Sequence, residues 1–254
     1  GEGPLLCCIH NKGGAPPLLY SQQRNPNSNE ENNQKLIKSK ERVQKHGEVF
    51  TPNWVVNLML DQVKSQTDNI YATFLEPSAG EGAFLTAILE RKLESVKQQF
   101  DKKFWKTKSL FALASIYGIE LLEDNLLYAR QHLLDAFIAF HQENKHNINK
   151  STNLYQSAKF IIEKNIVWGN TLMRLRPDGE EIMFSEWRRV KGHPSRVERI
   201  PFAYTNLFQE EDEKLCLDLF EIEGQLNLFE DEHVGEVKKY KIVDIQHVFK
   251  ELKE

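Results

Sequence analysis

Cysteine is scarce in this chain. Cys7, Cys8 and Cys216 are the only three among 254 residues. They have neither zinc-site spacing nor the number a disulfide framework needs, so reduced thiols, no metal site and a cytoplasmic setting are expected. Long apolar runs are missing too. No stretch of about 18 apolar residues occurs, so no membrane-spanning helix is expected. Gly1 to Tyr20 lacks the charged start and apolar stretch of a secretory signal. Neither sign of charge dominates, with a net charge of -4. That near-balance hides an asymmetry. Gln209 to Glu236 holds eleven acidic residues and one lysine, out of 37 acidic and 33 basic in all, which leaves 26 acidic and 32 basic elsewhere. A mildly basic body is compatible with a nucleic-acid partner.

Gly1 to Asn33 is polar and rich in Asn, Pro and Gly, and reads as a flexible tail over 1–33. Gln34 to Lys45 has a helical pattern. Thr51 and Pro52 read as the cap and first turn of the next helix. Ile70 to Leu75 reads as a buried strand, Ala83 to Gln99 as a helix, and Leu110 to Ile119 as a second buried strand. A long helix over Glu123 to Gln142, another over Asn153 to Lys164, and a short strand Ile166 to Trp168 follow. This alternation predicts a parallel, doubly wound sheet over 34–180, with helices on both faces. Residues 181–254 read as a small extension. It contains two strands (Ile182 to Val190, Val197 to Phe208) around Gly192-His193-Pro194, the acidic segment, a strand Tyr240 to Val243 and a helix Ile245 to Leu252.

Leu75-Glu76-Pro77-Ser78-Ala79-Gly80-Glu81-Gly82-Ala83-Phe84 is the most informative stretch. A buried strand runs into a glycine turn and then a helix start, which makes a ligand-binding corner. Ligands of such sheets sit beyond the carboxyl ends of the strands. Glu120 ends the second strand and can accept hydrogen bonds from ribose hydroxyls. Asn170 follows the third and can meet an adenine edge. A dinucleotide fits poorly. Leu85 stands where the fingerprint has its third glycine, Glu120 lies beyond the usual spacing, and Glu76 and Glu81 repel a pyrophosphate. Acidic groups here suit a cationic ligand such as S-adenosylmethionine.

Phe50-Thr51-Pro52, then Leu75 to Phe84, Gly118-Ile119-Glu120 and Ile166-Val167-Trp168-Gly169-Asn170-Thr171 resemble, in that order, adenine-specific DNA methyltransferases of restriction–modification systems. The similarity covers about 39–172. The resemblance implies a class I S-adenosylmethionine-dependent methyltransferase fold, Rossmann-like. It implies that Phe50, Thr51 and Pro52 flank the cofactor, and that Glu76, Pro77, Ser78, Ala79, Gly80, Gly82 and Phe84 form the corner around its methionine part. It further implies ribose contact by Glu120, an adenine position near Asn170, and DNA as partner.

The family's Asn/Asp-Pro-Pro-aromatic tetrapeptide, which accepts the target amine and stacks the flipped base, has no counterpart after Thr171, so no catalytic residue is assigned. The expected function is DNA adenine methylation, by this chain or by a unit of which it is the cofactor-binding part. The alternative is a non-catalytic subunit that binds cofactor, DNA or a clamp in a defence assembly, with a second subunit supplying the missing elements. Arg188, Arg189, Lys191, Arg196 and Arg199 form a basic cluster around the predicted hairpin, which reads first as a solvated face and alternatively as a phosphate-contacting ribbon. Gln225-Leu226-Asn227-Leu228-Phe229 resembles the peptide with which bacterial replication and repair proteins bind the sliding clamp.

Overall fold

The computed structural model describes Cys7–Cys8, residues 51–208 and residues 240–250. Phe50, the predicted helix Gln34 to Lys45, the acidic segment and Gln225 to Phe229 lie outside them.

Four strands form one parallel sheet in the order β1 (Cys7–Cys8), β2 (Phe74–Glu76), β3 (Ile116–Glu120), β4 (Ile166–Trp168). Every residue of β2 and β3 is buried. Strands covered on both faces read as unbroken apolar runs, but β2 starts only at Phe74, because the expected strand residues Ile70 to Thr73 form a turn and the lead-in to the strand. The edge pairing of Cys7 with Phe74 and Cys8 with Leu75 lies within 1–33, where the sequence predicts a tail.

Helices α1 (Asn53–Gln62) and α2 (Lys64–Asp68) precede β2. Helix α3 (Ala83–Gln99) connects β2 towards β3 and buries Leu85, Ile88, Leu89, Leu93 and Val96 along one stripe. Helix α5 (Glu123–Glu143) follows β3 and buries Leu126, Ala129, Leu133 and Phe137. Helix α6 (Asn153–Asn165) leads into β4, and its first turn is capped by Thr152, whose hydroxyl accepts from the Tyr155 amide.

Expectations about the start of β3 and the cap of α1 need correction. Leu110 to Ala114 are helical: α4 (Trp105–Ala114) ends there, and the strand starts only at Ile116. Ser109 to Ala114 are all buried, because α4 packs against α3, α6 and the C-terminal turn. A helix enclosed on all sides loses its polar face, so it resembles a buried strand in sequence. Pro52, not Thr51, flanks the first residue of α1, and no side chain caps it; the Pro52 carbonyl accepts from the amides of Val55 (2.9 Å) and Val56 (3.2 Å).

The two faces of the sheet differ. Phe74, Ile116 and Ile166 join the large core with the helices. Leu75, Tyr117 and Ile119 pack instead on Ile182, Phe184 and Tyr204. Strands β5 (Met183–Arg189) and β6 (Arg196–Ala203) form an antiparallel hairpin over this second face, extended by β7 (Val243–Asp244). Among the described residues, the expectation of helices on both faces therefore gives way to helices on one and a hairpin on the other. The Tyr117 hydroxyl donates to the Ser185 carbonyl (2.9 Å), and the Trp187 indole donates to Asn165 Oδ1 (2.9 Å). These bonds satisfy buried polar groups and lock the hairpin to β3 and to the end of α6. The second strand stops at Ala203 and becomes a 3-10 turn (Tyr204–Leu207), short of the expected Phe208. Of the expected helix Ile245 to Leu252, the described part, Ile245–Lys250, is a 3-10 turn; it buries Ile245 and Val248 in the main core.

Lys92 on α3 is fully buried and donates to the carbonyls of Asn69 (3.1 Å) and Ala72 (2.6 Å) and to Ser115 Oγ (2.8 Å). It ties the entries of β2 and β3 together at the amino end of the sheet. Among the described residues, no helix is long and apolar enough to cross a membrane.

Candidate functional site

The carboxyl ends of β2, β3 and β4 converge. Gly118 pairs with Glu76, and Glu120 pairs with Trp168. The parallel register thereby places the two carboxylates on neighbouring strands, with Gly169-Asn170 beside them.

After Glu76 the chain turns sharply. Gly80 has φ +55° and Gly82 φ +86°, both in the left-handed region that glycine tolerates. Gly82 also meets α5 closely, since a Cβ there would lie 2.9 Å from Ala129 Cα. Backbone bonds hold the turn: the Ala79 amide donates to the Ile119 carbonyl (2.9 Å), and the Gly82 amide to the Ala79 carbonyl (2.8 Å).

Glu120 braces this turn. Its Oε2 accepts from the Gly80 amide at 2.7 Å and its Oε1 from the Leu122 amide at 2.9 Å, while it is itself only 6% exposed. Glu76 is equally buried and receives the Ser78 amide at 3.2 Å. Burial, and secondarily the nearby Glu120 carboxylate, raise the Glu76 carboxyl to about 8, although the Ser78 bond opposes the shift. The corner thus holds one anchored carboxylate and one carboxyl poised to ionise near neutrality.

The remaining predicted residues sit around this corner in different ways. Pro77 is tied to the exit of β4, because the Thr171 hydroxyl donates to its carbonyl. Ser78 is exposed, Ala79 is buried, and Phe84 packs half-buried against the main core. Asn170 closes its own turn: its Oδ1 accepts from the Met173 amide (3.1 Å). Thr51 and Pro52 are half-buried at the start of α1, whose Asn53 and Val56 line a pocket with Glu81 and Ala83.

Comparison with models of protein families, with curated proteins and with solved structures finds no match to this chain.

Three contributors escape sequence reading. His132 Nδ1 lies 2.8 Å from the Glu81 carbonyl and holds the turn from α5. Ala129 supplies the small surface against Gly82. Ile182 crowds Gly169, where a Cβ would meet its Cδ1 at 2.4 Å. Only Ala129 leaves a trace in sequence, as a small residue in the stripe formed by Leu126, Leu133 and Phe137.

Proposed function

We propose that the corner binds S-adenosylmethionine and that the chain serves DNA adenine methylation, as the methyltransferase or as its cofactor-binding part. The carrying observation is the pair of buried carboxylates, Glu76 and Glu120, at adjacent strand ends around the Gly80–Gly82 turn. A pyrophosphate would meet the Glu120 carboxylate and keep the Glu76 carboxyl in its neutral form. A ligand with an ammonium and a sulfonium gains from Glu120 and favours the ionised form of Glu76. Glu76 and the turn suit the methionine part, and Glu120, already fixed by two amides, suits the ribose hydroxyls.

Held by Glu76, Glu120 and the Gly80–Gly82 turn, S-adenosylmethionine would supply its sulfonium methyl to the exocyclic nitrogen of adenine, an N–C bond forming as the S–C bond breaks, with S-adenosylhomocysteine as the leaving group and the amine proton lost to a hydrogen-bond acceptor. Position supplies most of the acceleration in such a displacement.

Calorimetry with S-adenosylmethionine tests the first step, and transfer of labelled methyl to unmethylated DNA tests the second. Micromolar binding together with label in adenine supports the whole reading. Binding without transfer narrows it to the cofactor-binding part, and no binding removes it.

A further inference from the structure

A second polar concavity lies at the opposite, amino end of the sheet. It has a volume of ≈ 580 Å³ and is lined by Tyr71, Lys108, Arg189, Lys191, Gly192 and His193 among others. Tyr71 precedes β2, Lys108 sits on α4 before β3, and the others form the end of β5 and the hairpin turn.

Two of its cations are held in place by aromatic rings. Lys108 Nζ donates to the Tyr71 hydroxyl at 2.7 Å and lies 4.8 Å from the Phe100 ring centroid. The Arg189 guanidinium stacks 3.9 Å from the Tyr71 ring centroid. Lys191 projects from the turn and is exposed. Among the described residues, no carboxylate pairs with Lys108, Arg189 or Lys191, whereas the neighbouring Arg188 is neutralised by Glu186. Among the described residues, three like charges therefore line one open pocket that no carboxylate lines. Their mutual repulsion is relieved by an anion.

We propose that this pocket binds a backbone phosphate of duplex DNA. The assignment rests on the DNA part of the reading above and not on the methyl donor. Arginine stacked on a ring presents its remaining N–H groups in the fork that suits phosphate oxygens. The hairpin links this pocket to the glycine corner: Ile182 crowds Gly169 at one end, and Arg189 covers Tyr71 at the other. Seven residue rises of about 3.3 Å separate them, roughly the axial length of seven base pairs. A duplex lying along the hairpin reaches both ends.

The test is fluorescence anisotropy of a labelled duplex of about 20 base pairs, read against salt concentration with the full chain and no methyl donor. Arg189→Gln with Lys191→Gln should weaken binding about tenfold and flatten the slope of log affinity against log salt by about 0.9 per phosphate lost. Lys191→Gln alone, on an exposed side chain with no partner among the described residues, should weaken it several-fold without affecting folding. Unchanged affinity and slope in both variants would overturn the proposal. So would a wild-type chain that binds pyrophosphate here but no duplex. Donor binding is read separately by calorimetry, so failure at either end of the sheet leaves the other standing.

Discussion

Glu120 accepts the Gly80 amide at 2.7 Å across a sequence separation of 40 residues. The end of β3 thus shapes the turn that follows β2. The same carboxylate is proposed to receive ribose hydroxyls, so its removal should act twice. Glu120→Ala should weaken S-adenosylmethionine binding by ten- to hundredfold, on the scale of about 1.5–3 kcal/mol for charge-assisted hydrogen bonds. Calorimetry on the folded variant measures this. Affinity equal to the wild type would take Glu120 out of the site.

The two glycines of the turn should differ in tolerance. At Gly80 a Cβ meets nothing within 4 Å, so only the left-handed backbone at φ +55° is strained. At Gly82 the added Cβ also collides with Ala129 Cα at 2.9 Å. Gly80→Ala should cost about 1–2 kcal/mol of stability. Gly82→Ala should cost about 1–3 kcal/mol more, because helices α3 and α5 must separate. Thermal melts of the two variants decide; equal losses would contradict the close approach.

Glu76 makes the corner sensitive to pH. Its folded carboxyl titrates at about 8 against an ordinary 4.5. Between those values the folded chain holds a proton that the unfolded chain has released, so this group's contribution to stability declines as pH rises through the window. A cationic ligand favours the ionised form, so donor binding should release a proton and tighten as pH climbs from 6 towards 8. Calorimetry in two buffers of different ionisation enthalpy reads the released proton. Glu76→Gln should abolish that release, and a release that survives the substitution points to another group.

Lys92 predicts a stability effect far from the corner. Burial holds its amine well below the ordinary lysine range. Its three acceptors are two loop carbonyls and Ser115. Lys92→Met keeps most of the volume but leaves buried acceptors unpaired, at about 1–3 kcal/mol for each group left unsatisfied. Denaturant titration should show a lower midpoint with an unchanged slope; a variant as stable as the wild type would mean water replaces the amine.

Much of the architecture was legible in the residues. Helix α3 begins at Ala83 and ends at Gln99, as its pattern predicts, and β4 covers Ile166 to Trp168. Periodicity is a local property, so these segments announce themselves. The stretch Leu110 to Ala114 did not, because a helix buried all round carries no period. The cover on the second face was not legible either, since apolar residues facing a hairpin read the same as those facing a helix.

The corner divides along the same line. The sequence by itself determined its chemistry: two glycines where φ turns positive, and carboxylates ending two buried strands. Only the tertiary structure decided how those groups meet. The parallel register sets Glu120 beside the turn, α5 supplies Ala129 and His132, and the hairpin brings Arg189 onto Tyr71. The physical reason is range. Conformational preference acts over a few residues, whereas each of these contacts joins segments far apart in the chain and exists only once the core has closed.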